Sequence, residues 1–484
     1  MKKQLKLALA AATSVLLLAG CSDFLKGPGL STNPNVPTTA TADQLFVGSQ
    51  VAVMAQWENY PFMLFFLWAQ QISGVNRQWQ NYADFAAGTD EGAGDGAFNQ
   101  TYGPGGLLDL RKMDTLVTAS GNLKMRGEAE VLEALYIGTA ADMFGSIPYS
   151  TALTPVPTYD SQAQVYDEVQ TKLNEAIIDL NTAATVTNAG PVTDFFYGND
   201  YTKWIAAANT LKARFFMHTA RTGTTTYSAA ILDSVIKYTQ IGISSSAGDL
   251  STTHTGTPGE QNLFFSFLFS RAGDVQPSAM HINLAKQAGE APLLDQYYLP
   301  NAIDSIFGSA PDASTAGVAS FATQATTPVP IVTYVENQML LAEANLINGT
   351  SVGGAPLAIL NAYRATVGGA ALASSGAVLH QNIIREKYIH IFFNVEVWDD
   401  YLRTCYPNVG MTGAMQSPGG SVGPYVPARL PIGITEQSAN PNVPTTIPGG
   451  QPMNGNNAAF PTNPKNLVDL VGAVCAGQVN RPGT

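Results

Sequence analysis

The stretch from Asn382 to Arg403 constrains the fold most. Its apolar residues Ile384, Tyr388, Ile391, Val395, Trp398 and Leu402 are spaced 4, 3, 4, 3 and 4. An α-helix brings that spacing onto one face, and such a face needs a partner to cover it. The pattern recurs along the chain. Val131, Leu132, Leu135, Tyr136, Ala140, Met143 and Phe144 share a face within 122–144, as do Val165, Val169, Leu173, Ile177 and Leu180 within 161–180. Trp204, Ala208, Leu211 and Phe215 repeat it within 202–220, and Val335, Met339, Ala342 and Leu346 within 334–347. Helices are also expected over 42–56, where Thr41 or Asp43 can cap the first turn, over 60–72 and over 105–120. No strict 34-residue consensus recurs. The fold class is therefore mainly α, a degenerate helical-repeat scaffold with long irregular loop insertions.

Between these helices the composition changes. Residues 241–330 are rich in Gly, Ser, Thr and Pro around one aromatic run, Leu263 to Phe269, and read as an irregular insertion with some strand. Gly88 to Gly96 reads as a solvated loop, because Asp90, Glu91 and Asp95 lack the alternating oxygen ligands of an EF-hand. Gly103-Pro104-Gly105-Gly106 reads as a turn. The chain is Pro/Asn/Gly-rich again after Pro424. Residues 42–449 then form one α domain and 450–484 a loop-rich tail.

The first residues carry an address. Lys2, Lys3 and Lys6 precede an apolar run over residues 7–19 that is too short to span a bilayer. Leu18-Ala19-Gly20-Cys21 resembles the lipobox of bacterial lipoproteins. That resemblance implies a signal peptide over 1–20, lipidation at Cys21, and anchorage by acyl chains, each buried CH₂ contributing about 0.8 kcal/mol. Residues 21–41 hold Gly27-Pro28-Gly29, Asn33-Pro34-Asn35 and Val36-Pro37, which makes them a Pro-rich tether. The remaining cysteines, Cys405 and Cys475, either stay free or pair outside the cytoplasm. Net charge is −12, and removing Lys2, Lys3 and Lys6 takes it to −15. That balance argues against nucleic acid and against binding anionic headgroups by charge.

Several ordered stretches resemble the SusD/RagB family of outer-membrane nutrient-binding lipoproteins. They are Arg126-Gly127-Glu128-Ala129-Glu130, Met143-Phe144-Gly145-Ser146-Ile147-Pro148-Tyr149 and Tyr166-Asp167-Glu168-Val169. Next come Tyr201-Thr202-Lys203-Trp204 leading to Asn209-Thr210-Leu211-Lys212-Ala213-Arg214, then Leu340-Leu341-Ala342-Glu343-Ala344. Glu396-Val397-Trp398-Asp399-Asp400-Tyr401 with Arg403-Thr404, and Pro427-Ala428-Arg429 with Glu436 and Asn440, close the series over about residues 40–445. Cys405 stands where a Gly is usual, and Glu290-Ala291-Pro292-Leu293 where many members have Asp-Pro-Arg before the Tyr pair, here Tyr297-Tyr298. The resemblance implies a tetratricopeptide-like scaffold on the outer face of the outer membrane. It would act beside a SusC-like TonB-dependent barrel, capturing an oligosaccharide or other polymer fragment.

The residues themselves suggest binding rather than catalysis. There is no His-Glu-x-x-His, nucleophile elbow or P-loop, and no cofactor or metal is expected. Asp399 and Asp400 diverge by about 100° on a helix, and Lys387, Arg385 and Arg403 offer them charge partners, so that helix reads as architectural. Sugar binding needs flat apolar ring faces beside planar amides and charges. Arg77, Gln78, Trp79, Asn81 and Tyr82 meet that need best, with Asn99, Tyr102 and Tyr297 as further candidates. Trp79 and Tyr82, three apart, fit core contacts of a helix end equally well. A lipid-anchored scaffold for peptide or protein is the competing class, and a surface glycan hydrolase the third.

Overall fold

The computed structural model describes residues 39–83, 91–186, 190–191, 193–221, 226–299, 321–404, 406, 429–430 and 432–444. Cys21, Cys405, Cys475 and the 450–484 tail lie outside the described residues, as do most of the tether and the side chain of Asn81.

The chain opens with α1 (Ala42–Glu58), α2 (Tyr60–Trp68), β1 (Ile72–Gly74), α3 (Arg77–Ala83) and α4 (Glu91–Tyr102). The long helices α5 (Leu107–Ser120), α6 (Leu123–Phe144), α7 (Gln162–Ala183), α8 (Tyr201–Thr219) and α9 (Ala229–Thr239) follow. Short elements come next: β2 (Leu250–Ser251), α10 (Leu263–Ser270), β3 (Val275–Pro277), α11 (Ala279–Gln287) and β4 (Pro330–Val332). The described chain ends with α12 (Tyr334–Asn348), α13 (Pro356–Thr366), α14 (Gly376–His390), α15 (Glu396–Thr404) and α16 (Ile434–Ala439). Helix starts are fixed locally. Thr41 and Gln44 form a reciprocal capping box on α1, and Ser161 and Gln164 form another on α7.

Neighbouring helices pack as a series of hairpins. α5 lies on α6, α6 on α7, α7 on α8, α8 on α9, α9 on α12, and α12 on α13 and α14. α6 is the centre, buried almost all round from Met125 to Phe144. Two glycines permit this. A Cβ on Gly127 would lie 2.6 Å from Leu180 Cγ, and one on Gly138 would lie 2.1 Å from Phe215 Cζ. Among the described residues the strands form two antiparallel pairs, β1 with β3 and β2 with β4. Among the described residues no helix is long and apolar enough to cross a membrane.

The core also carries charge. Arg214 grips Glu336 with bonds of 2.5 and 2.6 Å and lies 3.4 Å from Glu396. Lys387 sits 3.0 Å from Asp400 and 3.5 Å from Glu396, while Arg403 joins Glu343 and Asp400 at 2.6 Å. His218 lies between Asp142, at 2.9 Å, and Glu396, at 3.2 Å. Burial alone would depress the His218 imidazole, but the two carboxylates hold it above its ordinary value. Lys387 and Arg403 are thus the architectural partners expected from sequence. Arg385 makes no ion pair among the described residues.

Three expected elements change. The 382–403 helix breaks over 391–395, where Phe393 adopts a left-handed φ of 61°. Its N–H donates to Gln71 Oε1 at 3.0 Å, and the Asn394 amide donates to the carbonyls of Pro330 and Ile331 at 3.0 and 3.1 Å. Asn394 Oδ1 then accepts from Glu396 N and restarts the helix. The 60–72 helix stops at Trp68, because Ile72–Gly74 pairs with Val275–Pro277. The loop expected over 88–96 is helical from Glu91, braced where Asp95 accepts from Thr435 N at 3.1 Å. Within 241–330 the described residues form α10 and α11 besides short strands.

Candidate functional site

Five distant stretches meet in one cleft. A cavity of about 380 Å³ is lined by Asp249, Gln296, Tyr297, Thr333, Tyr334, Tyr363, Thr366 and His390, among others. A second cavity of about 280 Å³ shares its wall of Gln296, Tyr297, Pro330 and His390, and is closed by Asn262, Thr323, Thr327, Val329, Phe392 and Phe393. Such a mixture of apolar surface and a few convergent polar groups is what small-molecule sites present.

Local structure places each side chain. A 3-10 turn over Ala291–Gln296 delivers Gln296 and Tyr297 at its end. Thr333 caps α12, which puts Tyr334 on its first turn. Tyr363 comes from α13, and His390 ends α14 just before the break. That break brings Phe392 under Tyr297, ring centroids 4.6 Å apart. Tyr363 meets the His390 ring edge-on at 5.1 Å and lies 6.1 Å from Tyr334.

Behind this wall the charges are balanced. Arg364 lies 2.6 Å from both Glu290 and Glu386, and donates to the carbonyls of Ala288 and Ala370. His390 Nε2 is 3.1 Å from Glu290 and 3.4 Å from Glu386. Burial would depress this imidazole, but the two carboxylates hold it above its ordinary value. Asp249 Oδ1 accepts the Tyr334 N–H at 2.6 Å. Burial pushes its carboxyl up to about 7, against the lowering effect of that hydrogen bond.

Among the described residues, two side-chain clusters have the spacing to hold a cation: Asp142, His218, Glu396 and Asp399, and Glu290, Glu386 and His390. In both, the fold supplies its own positive charge. Arg214, Lys387 and His218 serve the first, Arg364 and His390 the second. They are ion-pair lattices that fix helix positions.

Of the residues singled out from sequence, Tyr297 lines the cleft. Trp79, Tyr82 and Arg77 sit together elsewhere. Trp79 is 2% exposed, with Tyr60, Tyr82 and Phe267 around its ring, and the Tyr60 hydroxyl donates to Tyr82 at 2.9 Å. Arg77 is exposed and ion-pairs with Asp274 at 2.5 Å, and Gln78 accepts from Arg271. Tyr102 is half-buried on α4 and donates to Pro148 O at 2.7 Å, while Asn99 is exposed on the same helix. Asp249, Gln296, Tyr334, Tyr363 and His390 were not legible beforehand. No spacing links them, and the adjacent Tyr297-Tyr298 pair was the one local signal.

Comparison with known proteins supports this architecture. No curated protein sequence matches the chain. Among solved structures, a SusD/RagB family protein from Bacteroides thetaiotaomicron is 19% identical with a TM-score of 0.64, covering 84% of this chain and 95% of that one. A SusD homologue from Bacteroides uniformis reaches a TM-score of 0.68 at 17% identity, covering 83% and 94%. A chitin-binding SusD homologue from Flavobacterium johnsoniae gives 0.61 at 17%, covering 82% and 93%. These likenesses establish the tetratricopeptide-like helical fold. The family model described as SusD-like, starch-binding associating with outer membrane, matches residues 34–431, and the chain belongs to that family.

Proposed function

We propose that this protein binds an oligosaccharide at the outer surface of the outer membrane, anchored through Cys21, and passes it to a SusC-like TonB-dependent barrel. The observation that carries the reading is the Tyr297 cleft. Tyrosine rings with apolar bodies and polar tips stand there beside Asp249, Gln296, Thr333 and Thr366, which can meet sugar hydroxyls. The starch-binding description of the family and the chitin-binding relatives support a glycan over a peptide. The role is binding rather than turnover.

Calorimetry with maltohexaose, chitohexaose, xylohexaose and cellohexaose tests the reading. At least one is expected to bind without being cleaved. Tyr297→Ala and Gln296→Ala are expected to weaken that binding about tenfold or more, the loss of roughly 1.4 kcal/mol. If Trp79→Ala, Arg77→Ala, Tyr82→Ala or Tyr102→Ala does so instead, the site lies at α3 or α4. Binding of no saccharide overturns the reading, and cleavage of a bound one revives the hydrolase. Cys21→Ser is expected to release the protein from membranes or leave it unprocessed, and full membrane retention of that variant would refute the anchor.

A further inference from the structure

Resting on that reading, we infer that the saccharide taken by the Tyr297 cleft is uncharged, and that Asp249 is the residue that keeps acidic sugars out. Asp249 is half-buried in the wall of the larger cavity, with Oδ1 committed to the Tyr334 amide. Above about pH 7 its carboxyl is ionised and serves the ligand space as an acceptor for hydroxyls. A uronate or sulfate placed there meets like charge, and low-dielectric surroundings strengthen that repulsion.

The cation that does line both cavities, His390, is already engaged by Glu290 and Glu386. Proteins hold carboxylates, sulfates and phosphates with Arg or Lys, and neither residue lines either cavity among the described residues. The sequence extends the point to the flanking chain. From Gln287 to Tyr363 there are 77 residues without a Lys or Arg. Ser246 to Asn262, which supplies the opposite wall, has no Lys or Arg either. Arg364, which follows the lining residue Tyr363, is spent on Glu290, Glu386 and two carbonyls. The two cavities meet at the Gln296–Tyr297 wall, which suits two adjoining rings. One lies among tyrosines and hydroxyls, the other against Val329, Phe392 and Phe393.

The experiment compares the neutral hexasaccharides above with hexagalacturonate and a chondroitin sulfate hexasaccharide, by calorimetry in EDTA at pH 8. The best neutral ligand is expected to bind at least about 30-fold more tightly than either anion, a difference of about 2 kcal/mol. Asp249→Asn keeps an acceptor for the Tyr334 amide, so it is expected to fold and to narrow that ratio about tenfold. Thr366→Lys, which adds a cation at an exposed position of the lining, is expected to narrow it further. Wild-type binding of an anionic hexasaccharide as tight as the best neutral one, abolished with it by Tyr297→Ala, overturns the inference and leaves the saccharide reading standing. A ratio unchanged in both variants overturns the role of Asp249. Binding of no saccharide at all removes the underlying reading itself.

Discussion

Glu128 sits on α6 with both carboxylate oxygens buried and without a hydrogen-bond partner among the described residues. Burial, reinforced by Asp194 and opposed by Lys124, pushes this carboxyl from 4.5 up to about 9. The folded state therefore holds a proton that the unfolded chain gives up, and stability falls as pH rises from about 4.5 to about 9. Glu128→Gln is expected to stabilise the protein at pH 8 by about 1–3 kcal/mol and to change little at pH 4.5, as thermal melts across that range will register. His218 acts in the same direction. Its raised imidazole contributes stability that is complete below about pH 6.5 and is lost as pH climbs through the higher folded value. His218→Gln should flatten the melting profile above pH 6.5. Arg214 and Glu336 form a fully buried two-bond pair. Glu336→Ala, which leaves the guanidinium with Glu396 at 3.4 Å and the Ile331 carbonyl, is expected to cost about 3–5 kcal/mol of stability, measurable by urea unfolding.

At the scale of elements, helix contacts depend on a few small residues. Gly138→Ala drives a methyl into the Phe215 ring. Phe215 is walled in by Tyr166 and His218, so the variant is expected to lose about 1–3 kcal/mol. Asn394→Ala removes two donors to β4 and the acceptor that restarts α15, and should cost about 2 kcal/mol and loosen the cleft floor. These elements also show what the sequence could disclose. The cap at Thr41 marked the start of α1, and amphipathic spacing revealed α6, α7, α8 and α12 within a few residues. It missed the break at Phe393, since Ile391 and Val395 keep the helical spacing while Gln71, Pro330 and Ile331 determine the turn. It missed α9 and α13, which lie between stretches rich in Gly, Ser and Thr. The cleft was legible only through Tyr297, because its other walls come from residues as far apart as Asp249 and His390. The rings of Trp79 and Tyr82 had the right chemistry for sugar, yet that chemistry also suits the core contacts they make.

Across the whole molecule, the first and last described parts close on each other. Gln71 Nε2 donates to the carbonyls of Tyr388 and Ile391, 317 and 320 residues away, and the Tyr388 hydroxyl returns to Ala69 O. Leu430 N donates to Met143 O, and Asn440 reaches Pro157 O. A chain ending after α13 lacks Tyr388, Trp398 and the Lys387–Asp400 pair. It is expected to show helical circular dichroism without a cooperative melt. The Gln71 clasp also bears on timing. Contacts spanning more than 300 residues incur their loop-closure entropy before they return any stability, so folding should be slow and gated by the arrival of the final quarter of the chain. Until then the helix hairpins made earlier remain accessible to chaperones and proteases, and the cleft cannot exist. Formation of the cleft is thus expected to come late in folding, and Gln71→Ala is expected to delay it more than it lowers the helical content reached early in refolding.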